Sequence, residues 1–99
     1  MPREEAKGTS ELRAAQAARE AMVQVKQLTG REALAVASLE PLEDGWRVGV
    51  EVLEDARVPS SGDILALYEA EIGLDGELLS YRRARRYRRG DTGESADGV

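Results

Sequence analysis

The chain contains no cysteine and no histidine. Without cysteine there is no disulfide framework, no thiolate metal site and no thiol nucleophile. Without histidine the commonest general base, the usual partner of a catalytic serine and the commonest zinc ligand are missing too. Lysine is scarce, with only Lys7 and Lys26. Ser60 and Ser61 therefore have no base to activate them and read as turn residues. Asp75 and Glu77 lack the acidic spacing and loop length of a calcium-binding hand. No apolar run approaches the roughly 18 residues of a membrane span. The first eight residues lack the apolar core of a signal peptide. These absences argue against an enzyme and against a membrane protein. They leave no catalytic, cofactor-binding or metal-binding residue to nominate, and they point to the cytosol.

What is present fits one small domain. Of 99 residues, 41% are hydrophobic and 33% charged, enough apolar surface for one core and not for two. The net charge of −5 is unevenly spread. Six of the 14 basic residues are Arg82, Arg83, Arg85, Arg86, Arg88 and Arg89; the rest of the chain carries 8 basic against 19 acidic residues, a net of −11. An acidic body thus bears one basic strip, and the body opposes long-range attraction to polyanions.

Along the chain, residues 1–9 and 90–99 are polar and aperiodic and read as disordered tails, the second of them acidic, around a single domain at 10–89. Ser10 is a good N-cap with Glu11 in the first turn. Ala14, Ala18, Ala21, Met22, Val25 and Leu28 then recur at helical spacing, and Thr29-Gly30 supplies a stop. Residues 34–42 are a modest strand candidate, followed by the turn signal Glu43-Asp44-Gly45. Trp46, Val48, Val50 and Val52 alternate with Arg47, Gly49 and Glu51, the clearest strand in the chain. Two more strands, at 64–72 and 78–88, flank Asp75-Gly76, which predicts a two-residue type I′ hairpin loop. That loop sets a register in which paired residue numbers sum to 151, with Glu69 opposite Arg82, Leu67 opposite Ala84 and Ile64 opposite Tyr87. The expected fold is α+β, one N-terminal helix packed on a four-stranded antiparallel meander. Trp46, Val48, Val50, Ile64, Tyr68, Ile72 and Leu79 are expected against the helix.

The strip Tyr81-Arg-Arg-Ala-Arg-Arg-Tyr-Arg-Arg89 is the most unusual feature. Arginine forks donate paired hydrogen bonds to carboxylates and phosphates, and Tyr81 and Tyr87 offer rings for stacking. The strip reads either as a docking site for acidic protein or nucleic acid, or as an edge strand whose arginines pair with Glu51, Glu54, Glu69 and Glu71 and deter aggregation. Arg57, in Arg57-Val58-Pro59, reads either as a cap on the sheet end or as an exposed recognition residue. Leu65 and Leu67 are expected on the face away from the helix. A sizeable apolar patch there is what a holder of apolar subunits needs.

Read in order, Trp46-x-Val48-x-Val50-Glu51-Val52-x-Glu54, Arg57-Val58-Pro59, Asp63-Ile64-Leu65-Ala66-x-Tyr68-Glu69, Asp75-Gly76-Glu77-Leu78 and Tyr81-x-Arg83-x-x-Arg86-Tyr87-x-Arg89 resemble the gas vesicle protein O (GvpO) family. The resemblance runs from about residue 14 to residue 90. It implies a non-enzymatic accessory protein for the assembly of gas vesicles, the hollow protein shells that give cells buoyancy. It also implies a cytoplasmic, vesicle-associated location, shell and accessory gas vesicle proteins as partners, no cofactor and no membrane. An adaptor role leads. A nucleic-acid-binding regulator of vesicle gene expression and a chaperone-like holder of the shell subunit are the alternatives. Within the resemblance, Arg83, Arg86, Arg89, Arg57 and Tyr87 are the partner-binding candidates, the first three because they have few obvious internal partners.

Overall fold

Alanine and unbranched polar side chains dominate residues 14–28, and they form helix α1 (Ala14–Thr29). The computed structural model describes residues 13–91. Ser10, Glu11 and the expected tails lie outside the described residues, apart from Gly90 and Asp91, which belong to a short 3-10 turn, Arg89–Asp91. The side-chain carbonyl of Gln16 accepts from the Arg13 N–H at 3.0 Å and so ties off one free donor at the helix start. At the other end Gly30 adopts φ 71 and donates its N–H to the Lys26 carbonyl at 2.9 Å, the stop that Thr29-Gly30 predicts.

Four antiparallel strands follow in the spatial order β1-β2-β3-β4. They are β1 (Glu32–Leu42), β2 (Gly45–Asp55), β3 (Ile64–Gly73) and β4 (Leu78–Arg88). This is the expected α+β meander. Helix α1 covers one face, and Ala17, Ala21 and Val25 meet Val48, Val50, Val52, Ala66, Ala70 and Ile72 in a fully buried core. Met22, Ala33, Trp46, Tyr68 and Leu78 pack around it, partly buried.

Three expectations shift. The buried stripe of α1 is rotated from the one predicted: Ala17, Ala21 and Val25 are fully buried, whereas Leu28 is 48% exposed. The small side chains of Ala17 and Ala21 sit at the closest approach to the sheet, and larger apolar residues are pushed to the flanks. The β3–β4 loop has three residues rather than two. Gly76 donates to the Gly73 carbonyl at 2.9 Å, Gly73 donates to the Glu77 carbonyl at 2.8 Å, and Gly76 takes φ 89. That is a tight turn followed by one left-handed residue.

The third shift concerns register. The longer loop pairs Ile72 with Leu78, a bulge at Leu79 restores the predicted register from Glu71↔Ser80 to Tyr68↔Arg83, and a second bulge at Ala84 shifts the remainder. Leu78 therefore takes the core place expected for Leu79, which is 51% exposed. Ile64 pairs with Arg88 rather than with Tyr87, is only partly buried, and lies outside the core cluster.

Candidate docking surface

Strand β4 is an edge of the sheet, and the bulge at Ala84 decides where its arginines go. Successive residues of a strand alternate faces, and one inserted residue reverses the alternation beyond it. The unshifted register would place Arg86 on the open face, and Arg85 and Tyr87 on the helix side. Instead Arg83 and Arg86 share the helix side, and Arg85 and Tyr87 share the open face with Arg82.

On the helix side, Arg83 and Arg86 converge on one carboxylate. Glu54 accepts from Arg83 Nη1 at 2.9 Å and from Arg86 Nε at 2.7 Å. The Glu54 side chain is 9% exposed, whereas those of Arg83 and Arg86 are 48% and 55% exposed. Burial works to raise the Glu54 pKa, but the hydrogen bonds from Arg86 and Arg83 outweigh it and hold the carboxyl below its ordinary value. Arg31 closes the same corner by donating to the Glu54 backbone carbonyl.

On the open face, the charges form a ladder toward the hairpin end. Arg47 bridges Glu40 and Glu71 at 3.3 and 3.4 Å, and Arg82 meets Glu69 at 2.7 Å. The predicted Glu69–Arg82 pair is therefore present. Toward the other end, the Tyr87 hydroxyl donates to Glu51 at 2.5 Å and the Arg85 guanidinium lies 5.0 Å from the Tyr87 ring centroid. Leu65 pairs with Tyr87 and is only 2% exposed, so it does not join Leu67 in an exposed apolar patch as expected. Tyr81 is on the helix side instead, its ring 6.1 Å from that of Tyr68.

Where β4 ends, Asp63 fastens it. Its Oδ2 accepts from Arg89 Nε and Nη2 at 3.2 and 3.0 Å, and its Oδ1 accepts from the Arg57 N–H at 2.8 Å. The Arg57 hydrogen bond, with Arg89 beside it, holds the Asp63 carboxyl below its ordinary value. The Arg57 side chain pairs with Asp55 at 2.9 Å. Thus the expectation that Arg83, Arg86 and Arg89 have few internal partners gives way: each has a carboxylate. Glu54 and Glu69 are partners anticipated from the sequence, Glu51 holds Tyr87 instead, and Asp63 was missed. Its signal was weak, a single acid between the turn Ser60-Ser61-Gly62 and the apolar start of β3.

The model of the family described as "Gas vesicle synthesis protein GvpO" matches residues 2–93. The chain belongs to the GvpO family. Gas vesicle protein O of Streptomyces sp. (strain CB03234) is 53% identical over 77 residues, which are 78% of this chain and 60% of that protein. Gas vesicle protein O1 of Halobacterium salinarum is 42% identical over 55 residues, 56% of this chain and 46% of its own length. Gas vesicle protein O of Haloferax mediterranei is 43% identical over 51 residues, 52% and 36% respectively. The matched segments thus span less than two thirds of each of these relatives. No solved structure matches. Among the described residues of this GvpO family chain, no helix is long and apolar enough to cross a membrane.

The Tyr87–Glu51 pair makes one measurable prediction. Burial, and then the hydrogen bond to Glu51, push the Tyr87 hydroxyl up to about 12. The folded state holds that proton more tightly than the unfolded chain, whose tyrosines ionise near 10. The resulting stabilisation is complete below about pH 10 and is lost as pH climbs toward 12. Tyrosinate absorbance followed against pH should contain a late step near 12 that Tyr87→Phe abolishes. A titration of the variant that still shows that step would mean that Tyr87 is not the half-buried, Glu51-bound tyrosine.

Proposed function

We propose that the chain is a non-enzymatic accessory protein of gas vesicle formation, acting as an adaptor that docks other gas vesicle proteins on the edge formed by β4. Family membership and the names of the relatives support the vesicle role. The charge balance of β4 carries the docking reading. Among the described residues, Arg82, Arg83, Arg86, Arg88 and Arg89 pair with four carboxylates, Glu69, Glu54, Asp91 and Asp63, while Arg85 lies over the Tyr87 ring. The edge therefore stays positive on a body that is otherwise acidic, a pattern that orients protein partners.

Arg83 and Arg86 are its centre. Each guanidinium carries five N–H donors and gives one to Glu54, so each keeps enough to fork onto a partner carboxylate. Tyr87, on the opposite face of β4, and Arg57, on the β2–β3 connection, are further candidate contacts, and Arg89 contributes chiefly by holding the strand end to Asp63. A vesicle-associated place in the cytoplasm belongs to the same proposal. The acidic body, with its net of −11 outside the strip, favours protein over nucleic acid as the partner.

The test exchanges the whole cluster for neutral hydrogen-bonding side chains, Glu54→Gln with Arg83→Gln and Arg86→Gln, so that no buried carboxylate is orphaned. Folding by circular dichroism should be retained, with stability changed by no more than about 1 kcal/mol. Binding to co-produced gas vesicle proteins should fall about 10-fold or more, and vesicle yield with it. A folded variant that makes normal vesicles overturns the docking reading and leaves the arginines as edge protection. Loss of RNA or DNA binding alone, with vesicle-protein binding intact, replaces the adaptor by the regulator.

A further inference from the structure

Strand β4 ends the sheet, and no described strand pairs with its outer side. Such an edge leaves a row of backbone N–H and C=O groups open to another chain, and its charged side chains decide which chains can use it. On β4 those charges stand on both faces. Arg82 and Arg85 belong to the open face and Arg83 and Arg86 to the helix side, because the bulge at Ala84 lies between the two pairs. All four reach solvent: the side chains of Arg82, Arg83 and Arg86 are 68%, 48% and 55% exposed, and Arg85 is exposed as well. Their partners come from the inner strands or from β4 itself: Glu69 on β3 for Arg82, Glu54 on β2 for Arg83 and Arg86, and the Tyr87 ring for Arg85. Among the described residues, none of the four meets a carboxylate from the outer side.

A partner resting on either face of the sheet reaches only two of these arginines. A strand laid along the edge, in the plane of the sheet, reaches all four, because its own side chains alternate between the same two faces. We infer that β4 takes an extended acidic segment of another gas vesicle protein as a fifth strand, with carboxylates opposite Arg82 and Arg85 on one face and opposite Arg83 and Arg86 on the other. The inference rests on the adaptor reading and specifies how that edge is used: main-chain hydrogen bonds supply affinity, and alternate side chains supply the choice of partner. The inner side of β4 already carries one such pair, Glu69 opposite Arg82 at 2.7 Å. Tyr81, on the helix side and 40% exposed, adds an apolar position beside the acidic ones. The open edge from Ser80 to Tyr87 is about 23 Å long. Beyond it the turn Arg89–Asp91 packs on the β2–β3 connection, where a Cβ added at Gly90 would sit 2.9 Å from the Ser61 carbonyl oxygen. A second copy of this chain fits badly. Its β4 would set arginine against arginine, and its β1 has no charged residue between Glu32 and Glu40.

The probe is a capped, dye-labelled peptide, Thr-Glu-Glu-Thr-Glu-Glu-Val-Thr, titrated into the full chain and followed by fluorescence anisotropy. Replacing its glutamates by glutamine should weaken binding about 10-fold or more. Two further peptides are N-methylated on alternate residues, one in each phase, and keep every charge. Successive N–H groups of a strand point to opposite sides, so one phase should lose about 10-fold and the other should stay within about 3-fold. Because this comparison alters the ligand, it does not depend on any variant of the protein folding. On the protein, Arg82→Gln with Arg85→Gln, and separately Glu54→Gln with Arg83→Gln and Arg86→Gln, should each weaken the glutamate peptide about 10-fold with the circular dichroism of the parent. Gas vesicle proteins captured by the full chain should be displaced by the glutamate peptide and not by the glutamine one. Equal binding of the two N-methylated peptides, or a loss confined to one of the two arginine pairs, overturns strand addition. A single-stranded oligonucleotide that binds the edge while the glutamate peptide does not overturns it in favour of a nucleic-acid ligand. Vesicle proteins captured through Arg83 and Arg86 yet not displaced by the peptide overturn it and leave the adaptor reading standing. No capture of vesicle proteins by the parent chain overturns both.

Discussion

Trp46→Ala should cost about 3 kcal/mol of folding stability, a large share of the 5–15 kcal/mol that holds a typical domain. Trp46 lies on the helix side of β2, paired with Pro41 on one neighbour and Ile72 on the other. It packs against the buried cluster but is itself only partly buried. Full truncation of a buried tryptophan costs about 3–5 kcal/mol through lost transfer free energy and the cavity left behind, so partial burial argues for the lower end. The core it borders is built from alanine and valine with one isoleucine, small side chains that cannot swing in to refill an indole-sized space. Denaturant melts of parent and variant at equal m-value would measure the difference. A loss below about 1 kcal/mol would place the indole at the surface and make it a contact for a partner rather than part of the core.

Much of the fold was legible because its signals were local and agreed with one another. The alternation of Trp46, Val48, Val50 and Val52 fixed the buried face of β2, and those valines are fully buried. Gly30 marked the end of α1 and took the left-handed conformation that only glycine enters freely. Asp75-Gly76 marks the hairpin but not its loop length, since the pair serves a three-residue turn as well as a two-residue one. The bulge at Leu79 absorbs the extra loop residue, which is why Glu69 still meets Arg82. Bulges carry no dependable sequence mark, and the one at Ala84 could not be read.

That bulge accounts for what was not legible in the candidate site. Without it, Arg83 and Arg86 fall on opposite faces and cannot share a carboxylate. With it, they sit side by side on Glu54, itself in the irregular step where Leu53 pairs with Leu65 and Asp55 with Ile64. Two local insertions thus assemble a three-residue cluster that strict alternation forbids. Asp63 escaped notice for a different reason. Its partners Arg57 and Arg89 lie 6 and 26 residues away, and nothing local announces a contact of the longer range. The consequence for experiment is concrete. Arg89 cannot be grouped with Arg83 and Arg86 in a variant meant to spare the fold, because its loss leaves the buried Asp63 carboxylate without its cationic partner.

Gly45→Ala should destabilise the protein by about 2 kcal/mol, although it adds one methyl group. Gly45 opens β2 after the Glu43-Asp44 turn and pairs with Leu42 on one side and Gly73 on the other. A Cβ there would sit 2.1 Å from the Ile72 carbonyl oxygen and 3.0 Å from the Gly73 Cα. Both obstacles are backbone, so no side-chain rotation relieves the overlap, and β2 and β3 must separate at their hydrogen-bonded start. Gly73→Ala is the internal control. Its new methyl would meet the Asp75 side chain at 3.2 Å and Leu79 at 3.6 Å, contacts that an exposed aspartate and a half-exposed leucine can yield to. The two substitutions are chemically identical and sit on paired residues, so a difference in their melts isolates the backbone overlap. Loss of glycine's unfolded-state freedom favours alanine by about 0.4–1 kcal/mol at either position and cancels in the comparison. If Gly45→Ala melts with the parent while Gly73→Ala is the damaging change, then the close approach of β2 to β3 at this end is not as described. Both positions lie at the hairpin end of the sheet, away from Glu54, Arg83 and Arg86, so folded Gly45→Ala protein should match the parent in the binding proposed for that cluster. That separates a loss of stability from a loss of docking.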